Sequence, residues 1–149
     1  MRSTKSFVNG EDVAPSGAKP RSIRSPYDGS AVTEAYSADA EILDRALSLA
    51  CSRRDALTNL LPHERATILE RLADRVVAER EEFAGMLRDE AGKPITLARI
   101  EADRCVETIR DAAHWCRQMQ DEFLPLDGTA VGAHRQGIIK RFPVGLVSA

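Results

Sequence analysis

The sequence has no excess of basic residues, no long apolar run and few aromatic residues. Its 21 Lys and Arg are offset by 23 Asp and Glu, and the net charge of −2 argues against the basic surface of a nucleic-acid-binding protein. No apolar stretch approaches the roughly 20 residues of a membrane-spanning helix. The opening residues, MRSTKSFVNGEDV, contain two cations but lack the apolar core of a secretory signal.

Cysteine is also scarce. Cys51, Cys105 and Cys116 form an odd set without any Cys-x-x-Cys spacing, which argues against a disulfide framework and against a zinc site. The three histidines are too far apart in sequence to indicate a ligand set, so we predict no metal site. Free cysteines are typical of a reducing compartment, and we therefore predict a cytoplasmic protein.

What is present is typical of a single globular domain, with 43% hydrophobic and 30% charged residues in 149. Near the start, the Asn9-Gly10 pair is flanked by apolar residues and predicts a type I′ β-hairpin, because both positions of that turn need positive φ. Residues 14–30 are rich in Pro, Gly and Ser, and the stretch 25–29 predicts a turn. A short strand is expected over residues 31–36.

Three helices are predicted after this region. The first covers residues 39–59, with Ser37 or Asp39 as its cap. The second begins near Pro62 and is ended by Gly92 and Pro94. The third covers residues 95–120. Their predicted apolar faces are Ile42, Leu43, Ala46, Leu47, Leu49 and Ala50 in the first, Ile68, Leu69, Leu72, Val76, Phe83 and Leu87 in the second, and Ile95, Ala98, Ala102, Cys105, Ile109, Ala112, Cys116 and Met119 in the third.

The last part of the chain favours extended structure. Residues 136–142 predict a strand, and residues 144–147 predict the beginning of a buried one. The apolar run continues to Ala149 without a turn or cap, and a buried strand needs backbone partners. We therefore expect this sequence to be a piece of a larger fold.

Five segments, taken in order, resemble the N-terminal part of the aldehyde dehydrogenase superfamily. The second of them has Ser25 where the family has Asn. They are Phe7-Val8-Asn9-Gly10-Glu11, Ser25-Pro26-Tyr27-Asp28-Gly29, His63-Glu64-Arg65-Ala66 with Leu69, Glu90-Ala91-Gly92-Lys93-Pro94 with Glu101, and Arg141-Phe142-Pro143-Val144-Gly145-Leu146-Val147.

The resemblance implies an α/β fold class in the intact enzyme, with a Rossmann-like dinucleotide-binding domain. Residues 1–149 would form the N-terminal part of that domain, mainly helical, with three helices flanked by short β-strands and hairpins. Members of the superfamily oxidise an aldehyde to a carboxylic acid with NAD or NADP, using a cysteine nucleophile, a glutamate base and an asparagine that stabilises the oxyanion. None of those groups falls within this sequence, so we expect no catalytic residue, no cofactor-binding residue and no bound NAD or NADP in this segment alone.

One residue is a candidate for contact with substrate. By its distance from the Gly-Lys-Pro motif and Glu101, Arg104 matches an arginine that faces the substrate tunnel in non-phosphorylating glyceraldehyde-3-phosphate dehydrogenases. A guanidinium there can bind an anionic group of the substrate through two parallel hydrogen bonds. The alternative is a surface charge ladder in which Arg104 pairs with Glu101 and Glu107 on the same helix face.

The resemblance also implies a partner. Residues 129–142 correspond to a hairpin that joins the sheet of a neighbouring subunit, and the β-branched Ile138 and Ile139 suit such an edge. The expectation is a homodimer or homotetramer that acts on a small aldehyde, without nucleic acid or membrane. The alternative function is a non-catalytic helical interaction module derived from the same superfamily.

Overall fold

The structure is a computed structural model and describes residues 1–148. Within that range short strands precede and follow a helical region. The strands are β1 (Arg2–Thr4), β2 (Ser6–Val8), β3 (Glu11–Val13), β4 (Arg21–Arg24), β5 (Ala31–Ala35), β6 (Glu122–Pro125) and β7 (Gln136–Ile139). The helices are α1 (Ala40–Ser52), α2 (Arg54–Thr58), α3 (Pro62–Ala78), α4 (Arg80–Ala91) and α5 (Ile95–Gln118). None of these helices is both long enough and apolar enough to cross a bilayer.

The predicted opening hairpin is confirmed. Strands β2 and β3 pair antiparallel with Val8 opposite Glu11, and the two residues between them are Asn9 with φ 56° and Gly10 with φ 90°. Positive φ at both positions is what a type I′ turn requires. A second small sheet has the order β1-β5-β4, in which β1 is parallel and β4 antiparallel to the central β5.

The prediction of three continuous helices is wrong, because two of them are interrupted. The first breaks at Arg53 and the second at Glu79, where the φ/ψ pairs are −103°/7° and −102°/13°. Neither break falls at Pro or Gly, so no local signal marks it. The break at Glu79 lets both α3 and α4 pack along the 24-residue α5.

The helix ends follow local chemistry. Asp39 caps α1 by accepting a hydrogen bond from the Ile42 amide at 2.9 Å, and Pro62 opens α3 as predicted. Gly92 ends α4 with φ 65°, the left-handed conformation that glycine adopts without a steric cost.

The helices contact one another mainly through small side chains. The residues buried at these contacts are Ala66, Ala73, Val76, Ala84, Ala98, Ala102, Val106 and Ala113. The predicted face of α5 was therefore wrong at Cys105 and Ala112, which are exposed, since Val106 and Ala113 point inward instead. The larger predicted core residues, such as Ile68 and Leu72, are about half exposed.

The chain ends differently from the prediction. Strand β7 is shorter than residues 136–142 and pairs antiparallel with β6, with Ile138 opposite Phe123. Residues 144–147 form no strand, and Val144 is 88% exposed, so the prediction of a buried strand is wrong for the described chain. No strand within residues 1–148 lies beside this segment to satisfy its backbone. Ala149, the last residue of the predicted run, lies outside the described residues.

Candidate functional site

Arg104 lies on the outer face of α5. The helix buries Ala102 and Val106, and Arg104 is two residues from each. Because successive helical residues are rotated by about 100°, this spacing places Arg104 opposite the buried face. The Arg104 side chain is exposed.

The same outer face has an unusual share of large apolar side chains. Leu97, Ile100 and Trp115 lie on it at helical spacing, with 53%, 53% and 57% of their surface exposed. Trp115 is therefore not part of the core in the described chain. Arg104 lies one turn beyond Ile100 on this face, and the polar Thr108 and Asp111 separate it from Trp115.

The charge ladder expected on this helix does not form. Glu101 forms an ion pair with Lys93 of the Gly-Lys-Pro turn. Within residues 1–148 no carboxylate lies within 4.0 Å of the Arg104 guanidinium, and the hydrogen bond at this position is that from Thr108 Oγ1 to the Arg104 carbonyl at 2.9 Å. The guanidinium of Arg104 is left available for an anion from outside the described chain.

Neighbouring charges on α4 and α5 are, by contrast, paired. Arg80 donates two hydrogen bonds to Asp103, at 2.5 and 2.6 Å, and Arg99 donates to Glu81 at 2.9 Å. The hydrogen bonds from Arg80 lower the pKa of Asp103, and those from Arg99 lower the pKa of Glu81. These pairs link α4 to α5. The guanidinium groups of Arg80 and Arg99 are therefore already occupied by carboxylates of this chain.

The Glu-x-Gly-Lys-Pro segment joins the first sheet to the helices. Thr33 of β5, which is 3% exposed, donates a hydrogen bond of 2.5 Å from its hydroxyl to Glu90 Oε1. Lys93 of the same segment pairs with Glu101 of α5. Sequence reasoning missed Thr33, because its partner is 57 residues away and no local pattern marks a strand threonine as a tether.

The predicted hairpin near Ile138 is exposed. Ile138 and Ile139 show 63% and 42% of their surface, and Phe123 on the paired strand shows 57%. The hairpin consists of β6 and β7 alone, joined by a 3₁₀ turn at Ala130–Gly132, so both of its edges have unpaired backbone groups. It extends from residue 122 to 139, rather than over the predicted residues 129–142.

Comparison with known proteins identifies the architecture to which these features belong. The model of the aldehyde dehydrogenase family matches residues 13–149. The chain belongs to the aldehyde dehydrogenase family. The chain is 36% identical over 130 residues to the aldehyde-dehydrogenase-like protein y4uC of Sinorhizobium fredii, covering 87% of this chain and 25% of that protein. It is 30% identical to the lactaldehyde dehydrogenase of Methanococcus aeolicus, covering 96% of this chain and 29% of that protein.

Solved structures agree with the family assignment. Aldehyde dehydrogenase 21 of Physcomitrella patens, crystallised with succinate, superposes with a TM-score of 0.81 at 27% identity, covering 92% of this chain and 28% of that one. The glyceraldehyde-3-phosphate dehydrogenase GapN of Methanocaldococcus jannaschii, complexed with NADP, gives a TM-score of 0.69 at 28% identity, covering 73% and 24% of the two chains. This aldehyde dehydrogenase segment spans about a quarter of the length of its curated relatives.

Within residues 1–148 no glycine-rich loop opens a helix, which is the usual binding element for the phosphates of the nicotinamide dinucleotide that the family implies. Such cofactors bind where a glycine-rich loop leads into a helix with free N-terminal amides. In this segment the N-terminus of α1 is capped by the Asp39 carboxylate and that of α3 by the Glu64 carboxylate, which accepts from the Leu61 amide at 2.7 Å. Helix α5 begins directly after Pro94, and the turn that leads into it contains a single glycine, Gly92. We therefore derive no cofactor contact from residues 1–148.

Proposed function

We propose that this chain is the N-terminal part of the dinucleotide-binding domain of an NAD- or NADP-dependent aldehyde dehydrogenase, which oxidises an aldehyde to a carboxylic acid. Family membership supports the reaction class. Binding of the dinucleotide and the chemical steps are assigned to the part of the enzyme outside this segment. The unpaired cysteines are consistent with an enzyme that works in the reducing cytoplasm.

The proposed substrate is a small anionic aldehyde, and the proposed residue that binds its anionic group is Arg104. The observation that carries this proposal is a guanidinium without a carboxylate partner in residues 1–148, on the exposed face of α5 beside Leu97 and Ile100. On a face covered by the rest of the enzyme, such a guanidinium needs an anion, because a buried charge without a partner is costly. The names of several relatives describe anionic aldehydes, such as the 3-sulfolactaldehyde dehydrogenase of Priestia megaterium, which is 29% identical.

The second part of the proposal is a homo-oligomer that associates through the β6–β7 hairpin. Exposed Ile138 and Ile139 beside an unpaired strand edge support it, since such an edge favours pairing with another chain.

Substitution of Arg104 in the intact enzyme tests the substrate proposal. Arg104→Ala should lower kcat/KM for an anionic aldehyde by about tenfold to a hundredfold, because a charge-assisted hydrogen bond is lost. The kcat/KM for a neutral aldehyde of similar size should stay nearly unchanged. Arg104→Lys should recover part of the loss, since it keeps the charge but not the planar fork. Equal losses with both aldehydes would show that Arg104 has only a structural role.

A further inference from the structure

The turn of the first hairpin places two groups that can react with each other in contact with solvent. Asn9 and Gly10 form the type I′ turn between β2 and β3, and both residues are exposed. The side-chain Cγ of Asn9 is an electrophile, and the main-chain nitrogen of Gly10 is a nucleophile. Attack of this nitrogen on Cγ closes a five-membered ring, so the chain itself holds the reacting atoms close together.

No contact within the described residues restrains either group. Among residues 1–148 the Gly10 N–H donates no hydrogen bond, and the Asn9 side-chain amide takes part in none. The strands pair through Val8 and Glu11, on either side of the turn. A Cβ added at Gly10 would meet no atom within 4 Å, so the space beside its nitrogen is open. Glycine also rotates more freely than any other residue, which helps the nitrogen to reach Cγ.

The other asparagine of the sequence, Asn59, is restrained. It is followed by Leu60, whose N–H donates a hydrogen bond to the Leu57 carbonyl at 3.3 Å. The N–H of Asn59 itself donates to the Asp55 carbonyl at 3.0 Å. Rotation of the main chain towards ring closure would disturb these hydrogen bonds, and the leucine side chain would obstruct the approach of the nitrogen. We therefore expect Asn59 to react much more slowly than Asn9.

The Asp28-Gly29 pair has the same spacing as Asn9-Gly10 but is also restrained. The Gly29 N–H donates to the Ser25 carbonyl at 2.9 Å, and the Asp28 carboxylate accepts from the amide and the hydroxyl of Ser30 at 3.0 and 2.7 Å. These hydrogen bonds from Ser30 lower the pKa of Asp28. The carboxyl group therefore stays ionised, and a carboxylate resists attack by an amide nitrogen.

We propose that Asn9 is a site of spontaneous deamidation, which converts it into a mixture of aspartate and isoaspartate. In the first step the bond from the Gly10 nitrogen to Asn9 Cγ forms, and the bond from Cγ to Nδ2 breaks. Nδ2 leaves as ammonia and takes the proton of the Gly10 amide with it. Water then opens the cyclic imide. Opening at Cγ gives aspartate, opening at the main-chain carbonyl gives isoaspartate, and no atom is oxidised or reduced in either case.

The isoaspartyl product does not fit the hairpin. Its main chain runs through Cβ and Cγ and is one carbon longer, whereas a type I′ turn closes with two ordinary residues. Strands β2 and β3 form a sheet of two strands only, so their register depends on this turn. Loss of the register would release Val8, which is 8% exposed in the intact hairpin. The modification is thus expected to open the hairpin, independently of aldehyde oxidation.

Incubation of the 149-residue chain in mildly alkaline buffer tests the proposal. Peptide mass spectrometry should show a gain of about 1 Da in the peptide that contains Asn9. The same peptide should become a substrate for an isoaspartate-specific carboxyl methyltransferase, used here as a reagent. The peptide that contains Asn59 should change at least about tenfold more slowly. Hydrogen–deuterium exchange of the incubated protein should show faster exchange in β2 and β3.

The matched controls are Asn9→Gly and Asn59→Ser. Asn9→Gly keeps a residue that accepts positive φ and removes the side-chain amide, so it should show neither the mass gain nor the methyl label and should keep its exchange protection. Asn59→Ser should leave the rate at Asn9 within about twofold of the wild-type value. An unchanged mass at Asn9, or equal rates at Asn9 and Asn59, would overturn the proposed modification site. Isoaspartate at Asn9 with undiminished protection of β2 and β3 would overturn its effect on the hairpin.

Discussion

At the scale of single residues, both the backbone conformation and the packing at position 92 favour glycine over any other residue. Its φ of 65° suits glycine, and a Cβ added there would lie 2.7 Å from Pro26 Cγ. Gly92→Ala should therefore destabilise the chain by about 1–2 kcal/mol through left-handed strain, with a further cost from displacing Pro26. Urea unfolding followed by circular dichroism measures this change in the free energy of unfolding.

Gly85, in the middle of α4, gives the matched control. A Cβ added at this position meets no atom within 4 Å, and the backbone there is helical. Gly85→Ala should stabilise the chain by about 0.5–1 kcal/mol, because alanine loses less conformational entropy in a helix. Equal stability of Gly92→Ala and the wild type would show that the turn between α4 and α5 tolerates a side chain.

At the scale of elements, ion pairs connect α5 to the two helices beside it. Arg80 on α4 pairs with Asp103, and Arg117 on α5 pairs with Glu70 of α3 at 2.8 Å. The pKa of Asp103 is lowered by the hydrogen bonds from Arg80. A carboxyl group whose folded pKa is lowered adds stability above its unfolded pKa, about 3.9, and that contribution disappears as pH falls through the folded pKa.

The expected outcome is a pH-dependent difference in Tm between the wild type and Asp103→Asn. At pH 7 the variant should melt at a lower temperature, and the difference should shrink as the pH falls below about 3.9 and Asp103 becomes protonated in the folded protein. It should also shrink in 1 M salt, since the pair is at the surface. Asp111→Asn is the control, because Asp111 on the same helix has no cation within 4.0 Å in residues 1–148. A difference that persisted at low pH would contradict the ion-pair account.

At the scale of the whole molecule, the β6–β7 hairpin is the proposed point of association. Ile139→Lys in the intact enzyme should shift the oligomer towards smaller species, because a lysine on an edge strand opposes pairing with another chain. Sedimentation velocity measures the mass distribution. Val131→Lys is the control, since Val131 is 78% exposed and lies in the turn between the strands. An unchanged mass for Ile139→Lys would show that the hairpin is not part of the interface between subunits.

The sequence by itself determined the features that depend on a few neighbouring residues. Asn9-Gly10 specified the first hairpin and Gly92 the end of α4, because these residues tolerate the positive φ needed there, and Pro62 specified the start of α3, because its ring fixes φ at a helical value. The family could also be predicted from the sequence, since five short motifs occur in the order of the aldehyde dehydrogenase family.

Only the tertiary structure decided which helix faces are buried and where the helices break. Periodicity predicted Cys105 on the buried face, but α5 is rotated so that Val106 packs in its place. Helical periodicity locates a broad apolar stripe, whereas the partner helices select the part of it that they cover. For the same reason, the pairing of Glu101 with Lys93, which leaves Arg104 without a carboxylate, depends on how the turn packs against α5.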